Sequence, residues 1–327
     1  MKYRPTHVIE YIALRAASAA LRVLPYRVAL CLGWGLAGLA FLLMRQRVRE
    51  AQRRIRQVFG PGLPRRDVRR IAWQSLRNLV FTAIETMRGP RMTRAWVASV
   101  SNFVSATAGL AAHVRSGRGA ILACAHMGNW EFAGAASNLH GIPVFSMGGR
   151  QRNPLFDRLL NRLRERSGMK TLVRGSTSLA AIIRELKGGG VFAILSDVRM
   201  PTPALPIRFL GGEANIGPGL AMFAYHASVP VFPCVILRDG WTRHRLAIGQ
   251  PIWPSEGADK RLEARRITQA VFDILDRAIR EDPGQWFWFN RRWILDPLAP
   301  AASEGAPRPT GGTGRSRGSD GEDQSGG

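Results

Sequence analysis

A chain of 327 residues, 46% of them hydrophobic, is long enough to bury a sizeable core as one large α/β domain or two smaller ones. Its formal charge of +24, from 47 Lys and Arg against 23 Asp and Glu, excludes a neutral surface and asks for an anionic partner. Cys31, Cys124 and Cys234 lie far apart in apolar surroundings, with neither a CxxC pair nor metal-ligand spacing, so they read as reduced core residues.

The N-terminal stretch VIEYIALRAASAALRVLP repeats apolar residues at helical spacing, with Arg15 and Arg22 among them, as an amphipathic surface helix does. Val28 to Met44, VALCLGWGLAGLAFLLM, follows without one charge. It is slightly shorter than the roughly 20 apolar residues that cross a hydrocarbon core. With 27 residues ahead of it and no small-residue cleavage site, it is not expected to be a signal peptide. Next comes RQRVREAQRRIRQ, with six Arg and one acid, then Arg65, Arg66, Arg69 and Arg70. A polybasic segment beside an apolar helix suits an anionic cytoplasmic leaflet, where each cation contributes about 1 kcal/mol. Residues 1–46 are therefore expected to be an amphipathic or transmembrane anchor, and 47–118 a basic helical layer carrying DVRRIAWQSLRNLVFTAIETMR and TRAWVASVSN.

From 119 to 298, apolar runs alternate with helical segments. AILACA, IPVFSM, MKTLV, VFAILSD, VPVFPCVIL and RHRLAIGQPI read as strands. Helices are expected over 130–139, 154–167, SLAAIIRELKGGG, 217–227 and 260–281. The alternation predicts an α/β fold with a central mixed sheet flanked by helices. Residues 299–327 have almost no apolar side chains and read as a disordered tail. The tail holds three Arg and four acids, so the basic excess belongs to the folded body, which counts against a floppy basic arm gripping nucleic acid.

The stretch CAHMGNWE places His126 and Glu131 five positions apart where a strand gives way to a helix. On a continuous helix they would point about 140° apart. A turn at Gly128, with Asn129 as N-cap, allows His126 to fold back toward Glu131 in the first helical turn. A carboxylate there would accept one imidazole N–H and fix the tautomer, leaving the other nitrogen to take a proton from a hydroxyl. No Ser or Cys nucleophile is needed when the acceptor supplies the oxygen. Cys124 as a nucleophile is the less economical reading, because it sits inside a strand. His7, His113, His140, His226 and His244 lack a patterned partner.

AHMGNWE after an apolar strand resembles the HxxxxD/E signature of the lysophospholipid acyltransferase superfamily, and the chain is more closely similar to the lipid A biosynthesis lauroyl/myristoyl acyltransferases. The likeness runs from about residue 5 to 296 through LPYR, VFGP, AHMGNWE, GRQRNPLFDRLLNRLRERSGMK, VFAILSD, IRFLGGEANIGPGLAMFAYHASVPVFPCVILR and DPGQWFWFNRRW. The resemblance implies a glycerol-phosphate-acyltransferase-like fold with an N-terminal membrane-associated helix. It implies His126 as catalytic base with Glu131 as its partner, and Arg150 beside them to meet an oxyanion or clamp a phosphate. Asn129, Asn153, Asp157, Arg164, Asp197, Arg208, Asn215 and Gly217 match the surrounding blocks and are expected to shape the substrate site, the glycines near Gly217 offering backbone N–H groups to an anion. Val198 stands where members often have Gln, and Asn215 near the usual Thr. QWFWFNRRW reads either as an interfacial aromatic belt with Arg291 and Arg292 on phosphates or as a core-packing segment.

The function so implied is an enzyme at the cytoplasmic face of a bacterial inner membrane that moves an acyl chain from acyl carrier protein or acyl-CoA to a hydroxyl of a lipid A precursor or related glycolipid or lysophospholipid. No metal, bound cofactor or nucleic acid is implied. A membrane-attached hydrolase using the same dyad, and a non-enzymatic basic protein on membrane or nucleic acid, are the alternatives.

Overall fold

The computed structural model describes residues 3–89, 92–173 and 179–297. The tail expected over 299–327 lies outside the described residues. The N-terminal helices are α1 (Pro5–Val23), α2 (Tyr26–Leu43), α3 (Arg45–Phe59) and α4 (Arg65–Arg88). Two of the breaks fall on residues that explain them: Pro25 precedes α2, and between α3 and α4 Gly60 at φ +84° ends one helix and Pro64 precedes the next. Three short helices, α5 (Arg94–Val100), α6 (Phe103–Ala106) and α7 (Ala108–Arg115), lead into β1 (Ala120–Cys124).

Then follow α8 (Trp130–Leu139), β2 (Val144–Gly148), α9 (Pro154–Arg166), β3 (Lys170–Val173), α10 (Leu179–Lys187) and β4 (Val191–Leu195). A hairpin of β5 (Leu205–Phe209) and β6 (Gly212–Ile216) precedes α11 (Gly219–Ala227), β7 (Val231–Asp239), β8 (Arg243–Ile248) and α12 (Lys260–Glu281). The main sheet runs β3-β2-β4-β1-β7-β8, parallel except for β7 against β8, so the expected mixed sheet is present. The hairpin is an addition to the expected elements. Its turn residues Leu210 and Gly211 both have positive φ, 51° and 81°, the geometry that reverses a strand in two residues.

The alternation of β1 divides the core. Ile121 and Ala123 face the layer of α11, α12, the hairpin and the C-terminal tryptophans. Ala120, Leu122 and Cys124 face the layer of α5 to α8. Trp286, Trp288 and Trp293 are buried, so QWFWFNRRW is a core-packing segment, with Arg291 and Arg292 exposed. One arginine of the basic stretch is buried too. Arg54 donates from Nη1 to the carbonyls of Trp288 (2.9 Å) and Asn290 (2.6 Å) and lies 5.2 Å from the Trp293 ring centroid. Cys31 departs from the core expectation: it is exposed on α2, whereas Cys124 and Cys234 are buried.

Candidate active site

β1 and β4 lie side by side in parallel, with Cys124 level with Leu195. Beyond each strand the chain runs two residues further, to His126 and Asp197 respectively, and Ser196 N–H donates to the Cys124 carbonyl at 3.0 Å to keep them in step. His126 and Asp197 therefore emerge together at the carboxyl end of the sheet, where open α/β sheets hold ligands. The Asp197 carboxylate accepts His126 Nδ1–H at Oδ1 (2.7 Å). At Oδ2 it accepts the His126 backbone N–H (2.9 Å) and Trp286 Nε1–H (2.7 Å). Asp197 is 1% exposed. Burial alone would raise its pKa; the charge of His126, with the hydrogen bonds from His126 and Trp286, outweighs burial and holds it below the ordinary aspartate value. An ionised carboxylate on Nδ1 fixes the tautomer that leaves Nε2 as the basic nitrogen.

The expected His126–Glu131 hydrogen bond is replaced by this His126–Asp197 one. The loop explains why. Gly128 turns at φ +60°, and a Cβ there would come within 2.2 Å of the Ile236 carbonyl oxygen, so the bend requires glycine. Asn129 caps α8 through Oδ1, accepting from Phe132 N–H at 2.9 Å. Glu131 is thereby carried onto the first turn of α8, where it meets α9. Its carboxylate accepts Arg164 Nε–H at 3.0 Å and a second bond from Arg164 Nη2. His126, Glu131 and Arg164 all line one cavity of about 350 Å³ that runs beneath α8 along β1, β4 and β7. Its depth is apolar: Leu122, Ala133, Ala193, Leu195 and Ile236 are among its walls. The Trp130 ring stands edge-on to His126 at 5.2 Å.

Behind the loop lies a buried ion pair. Glu85 on α4 receives Arg238 Nη1 (2.8 Å) and Nη2 (2.5 Å), Asn129 Nδ2 (2.5 Å) and the Tyr26 hydroxyl. Burial raises the Glu85 pKa, but the Arg238 guanidinium and the nearby His244 more than offset it, holding the carboxyl well below its ordinary range. Asn129 thus serves the loop from within the scaffold. Thr82 Oγ1–H donates to the Gly128 carbonyl at 3.2 Å, while Gly128 N–H and Phe287 N–H bond across to Gln285 and His126 carbonyls at 3.0 and 2.9 Å. The C-terminal segment and α4 therefore clamp the histidine loop from both sides.

The other expected site residues fall into two groups. Arg150 is exposed and, with Asp157, Asn161 and Arg164, lines a small recess next to the cavity wall formed by Gly149 and Gln151. Asp157 accepts Gln151 N–H at 3.0 Å, and Asn153 caps α9 while donating to Glu10 (2.8 Å) and the His7 carbonyl (3.0 Å) on α1. Arg208, Asn215 and Gly217 belong to the hairpin region and are not among the residues lining the cavity. Asn215 ties the 200–204 loop down, donating to the Met200 and Thr202 carbonyls and accepting from Ala204 N–H. Arg208 is exposed, its backbone N–H donating to Gln269 at 2.9 Å. A Cβ on Gly217 would meet Met200 at 3.3 Å.

A sulfur nucleophile is disfavoured. Contact with the Cys234 thiol and burial push the Cys124 thiol well above its ordinary pKa, keeping it protonated. Glu85 lies in no local motif, and Trp286, although part of QWFWFNRRW, carries no sequence sign that its indole N–H bonds Asp197.

Fold and site together are those of an α/β protein with a buried carboxylate–histidine pair at the carboxyl end of its sheet. The chain belongs to the bacterial lipid A biosynthesis acyltransferase family, whose profile matches residues 3–294. It is also similar to a phosphatidylinositol mannoside acyltransferase of Mycolicibacterium smegmatis, 25% identical over 186 residues, which are 55% of this chain and 59% of that protein. A protein of the same description from Mycobacterium tuberculosis (strain CDC 1551 / Oshkosh) is 24% identical over 195 residues, 57% of this chain and 58% of that one. The match thus spans about three-fifths of the length of these relatives.

Proposed function

We propose that this chain transfers a fatty acyl group from a thioester donor to a hydroxyl of a glycolipid at a membrane surface. The observation that carries the reading is the His126–Asp197 pair, whose histidine lines a largely apolar cavity of about 350 Å³. The acyl chain lies in the cavity, with its thioester carbonyl beside His126. Nε2 takes the proton of the acceptor hydroxyl as the oxygen attacks the carbonyl carbon, and Asp197 stabilises the imidazolium that forms. Collapse of the tetrahedral intermediate breaks the C–S bond, and the departing thiolate takes the proton back from His126. The products are the acylated lipid and a free thiol.

Glu131 holds Arg164 at the cavity wall, so that a guanidinium is fixed near the reacting carbonyl without rotamer freedom. Arg150, exposed beside the recess, is assigned to the phosphate of the donor arm or of the lipid headgroup. Acyl carrier protein and CoA both present phosphate or acidic surface, which suits a chain of charge +24. The acceptor is drawn from what the family and the relatives share, a lipid-anchored sugar bearing free hydroxyls. The site of action is the cytoplasmic face of the inner membrane, which soluble thioester donors reach from the cytoplasm.

The test is an acyl-transfer assay on membranes of a host lacking its own lipid A acyltransferases, supplied with labelled acyl carrier protein or acyl-CoA, with total lipid analysed by mass spectrometry. A new acylated glycolipid formed by wild type and absent with His126→Ala supports the reading. Acyl loss from the donor without a lipid product, in host and in source-organism membranes alike, replaces it with a hydrolase.

A further inference from the structure

We infer that α2 does not cross the bilayer but lies in one leaflet, with both of its ends on the same side of the membrane. This rests on the membrane location proposed above.

By composition α2 could span: it is apolar from Val28 to Met44, and its 18 residues measure about 27 Å at 1.5 Å per residue. Its packing argues otherwise. One face presses on α4 along the whole helix, in antiparallel register. Tyr26 bonds Glu85; Gly33 sits against Phe81 and Ile84, where a Cβ would come within 2.4 Å of Ile84; Trp34 and Phe41 pack edge-on to Trp73 at 5.7 and 5.6 Å. Near the far end Arg69 lies 6.0 Å from the Phe41 ring centroid.

α4 cannot follow α2 into hydrocarbon. Between Arg69 and Glu85 its other faces carry Arg70 and Arg77, and Ser75 and Asn78 bond the carbonyls of Trp286 (2.6 Å) and Gly284 (3.1 Å). Thr82 and Glu85 hold the histidine loop itself. A spanning α2 would sink this polar helix, and the loop with it, to the bilayer midplane, where ionised side chains are strongly disfavoured. Detaching α2 instead would expose Glu85 and the Phe81–Ile84 contact.

The opposite face of α2 is a continuous apolar stripe. Leu32, Leu36, Leu39 and Leu43 are each more than half exposed, and Val28 nearly so. Arg27 and Arg45, both exposed, bracket the stripe, and no charge falls between them. An apolar stripe with cations at both ends is the pattern of a helix lying at the headgroup–acyl boundary of an anionic leaflet.

The test uses the full-length chain with Cys31→Ser, which removes the exposed thiol and leaves two buried ones, plus either Arg27→Cys or Arg45→Cys. Each variant is bound to sealed phosphatidylglycerol/phosphatidylethanolamine vesicles from outside, floated, and treated with a membrane-impermeant maleimide before and after detergent. Both variants are expected to float and to label fully before detergent, and Leu36→Glu is expected to reduce flotation at least tenfold. One end labelling only after detergent, with flotation intact, overturns the one-leaflet placement while leaving the membrane location standing. Failure of every variant and of wild type to float overturns the membrane location, and the inference with it.

Discussion

His126 and Asp197 each lie two residues beyond the ends of adjacent parallel strands, past the paired Cys124 and Leu195, and meet there through a 2.7 Å hydrogen bond. The third bond to the Asp197 carboxylate comes from Trp286, whose Nε1 is 2.7 Å away and is placed by the C-terminal segment. Removing that bond while keeping an aromatic ring isolates its contribution. Trp286→Phe is expected to lower kcat about 10- to 100-fold with KM for the donor little changed, as loss of an outer hydrogen-bond partner does. Steady-state kinetics on the purified variant checks it.

Glu131 and Arg164 act as a pair. Each single change to Ala leaves one charge unpaired at the wall of an apolar cavity, so both single variants are expected to be poorly active, and the double variant less impaired than the sum. A coupling energy of about 1–3 kcal/mol in the transfer rate is expected from the cycle. Additive losses would show that the two residues act separately.

Glu85 concerns stability. Glu85→Gln leaves the Arg238 guanidinium buried without its counter-charge and is expected to destabilise the fold by about 3–5 kcal/mol in denaturant unfolding. The folded-state pKa of Glu85 is depressed below its unfolded value. Its ionic stabilisation is therefore fully present above the unfolded carboxylate value and is lost as pH falls through the lower, folded one. Wild type is accordingly expected to lose stability on acidification across and below the ordinary carboxylate range more steeply than Glu85→Gln does.

Much of this was legible in the chain itself, and the exceptions have physical reasons. The paired runs AILACAH and VFAILSD have the same design, five strand residues, a small residue and then the site residue. Asp197 is an expected site residue from the family likeness, and that matched phase is the signal that it pairs with His126. It goes unread without the strand order, because pairing between residues 71 positions apart is a property of the sheet and not of any local window. Glu131, by contrast, is near in sequence, and the turn at Gly128 with the HxxxxD/E likeness makes it the expected partner of the histidine. The hairpin escaped because its glycine cluster reads equally as a turn before a helix. Periodic helices such as α4 and α12 were legible because their apolar faces are buried, whereas the aromatic cluster at 286–293 has a composition common to cores and to membrane belts.

The cavity makes a prediction about chain length. Ala193 lines it at the level of Leu122, about 13 Å along the strand from His126 at some 3.3 Å per residue. Ala193→Phe is expected to fill the inner end and shift donor preference toward shorter acyl chains, with kcat on the shortest accepted donor within about threefold of wild type. A panel of acyl donors of graded length reads this directly.

The most direct test of the central claim, that His126 and Asp197 work as one unit, is the single-turnover transfer rate of His126→Ala, Asp197→Asn and the double variant. Each single change is expected to slow transfer by about 10³- to 10⁴-fold, with the double variant no slower than His126→Ala, because residues that share one role lose it once. A wild-type rate for Asp197→Asn, or losses that multiply in the double variant, would contradict the account.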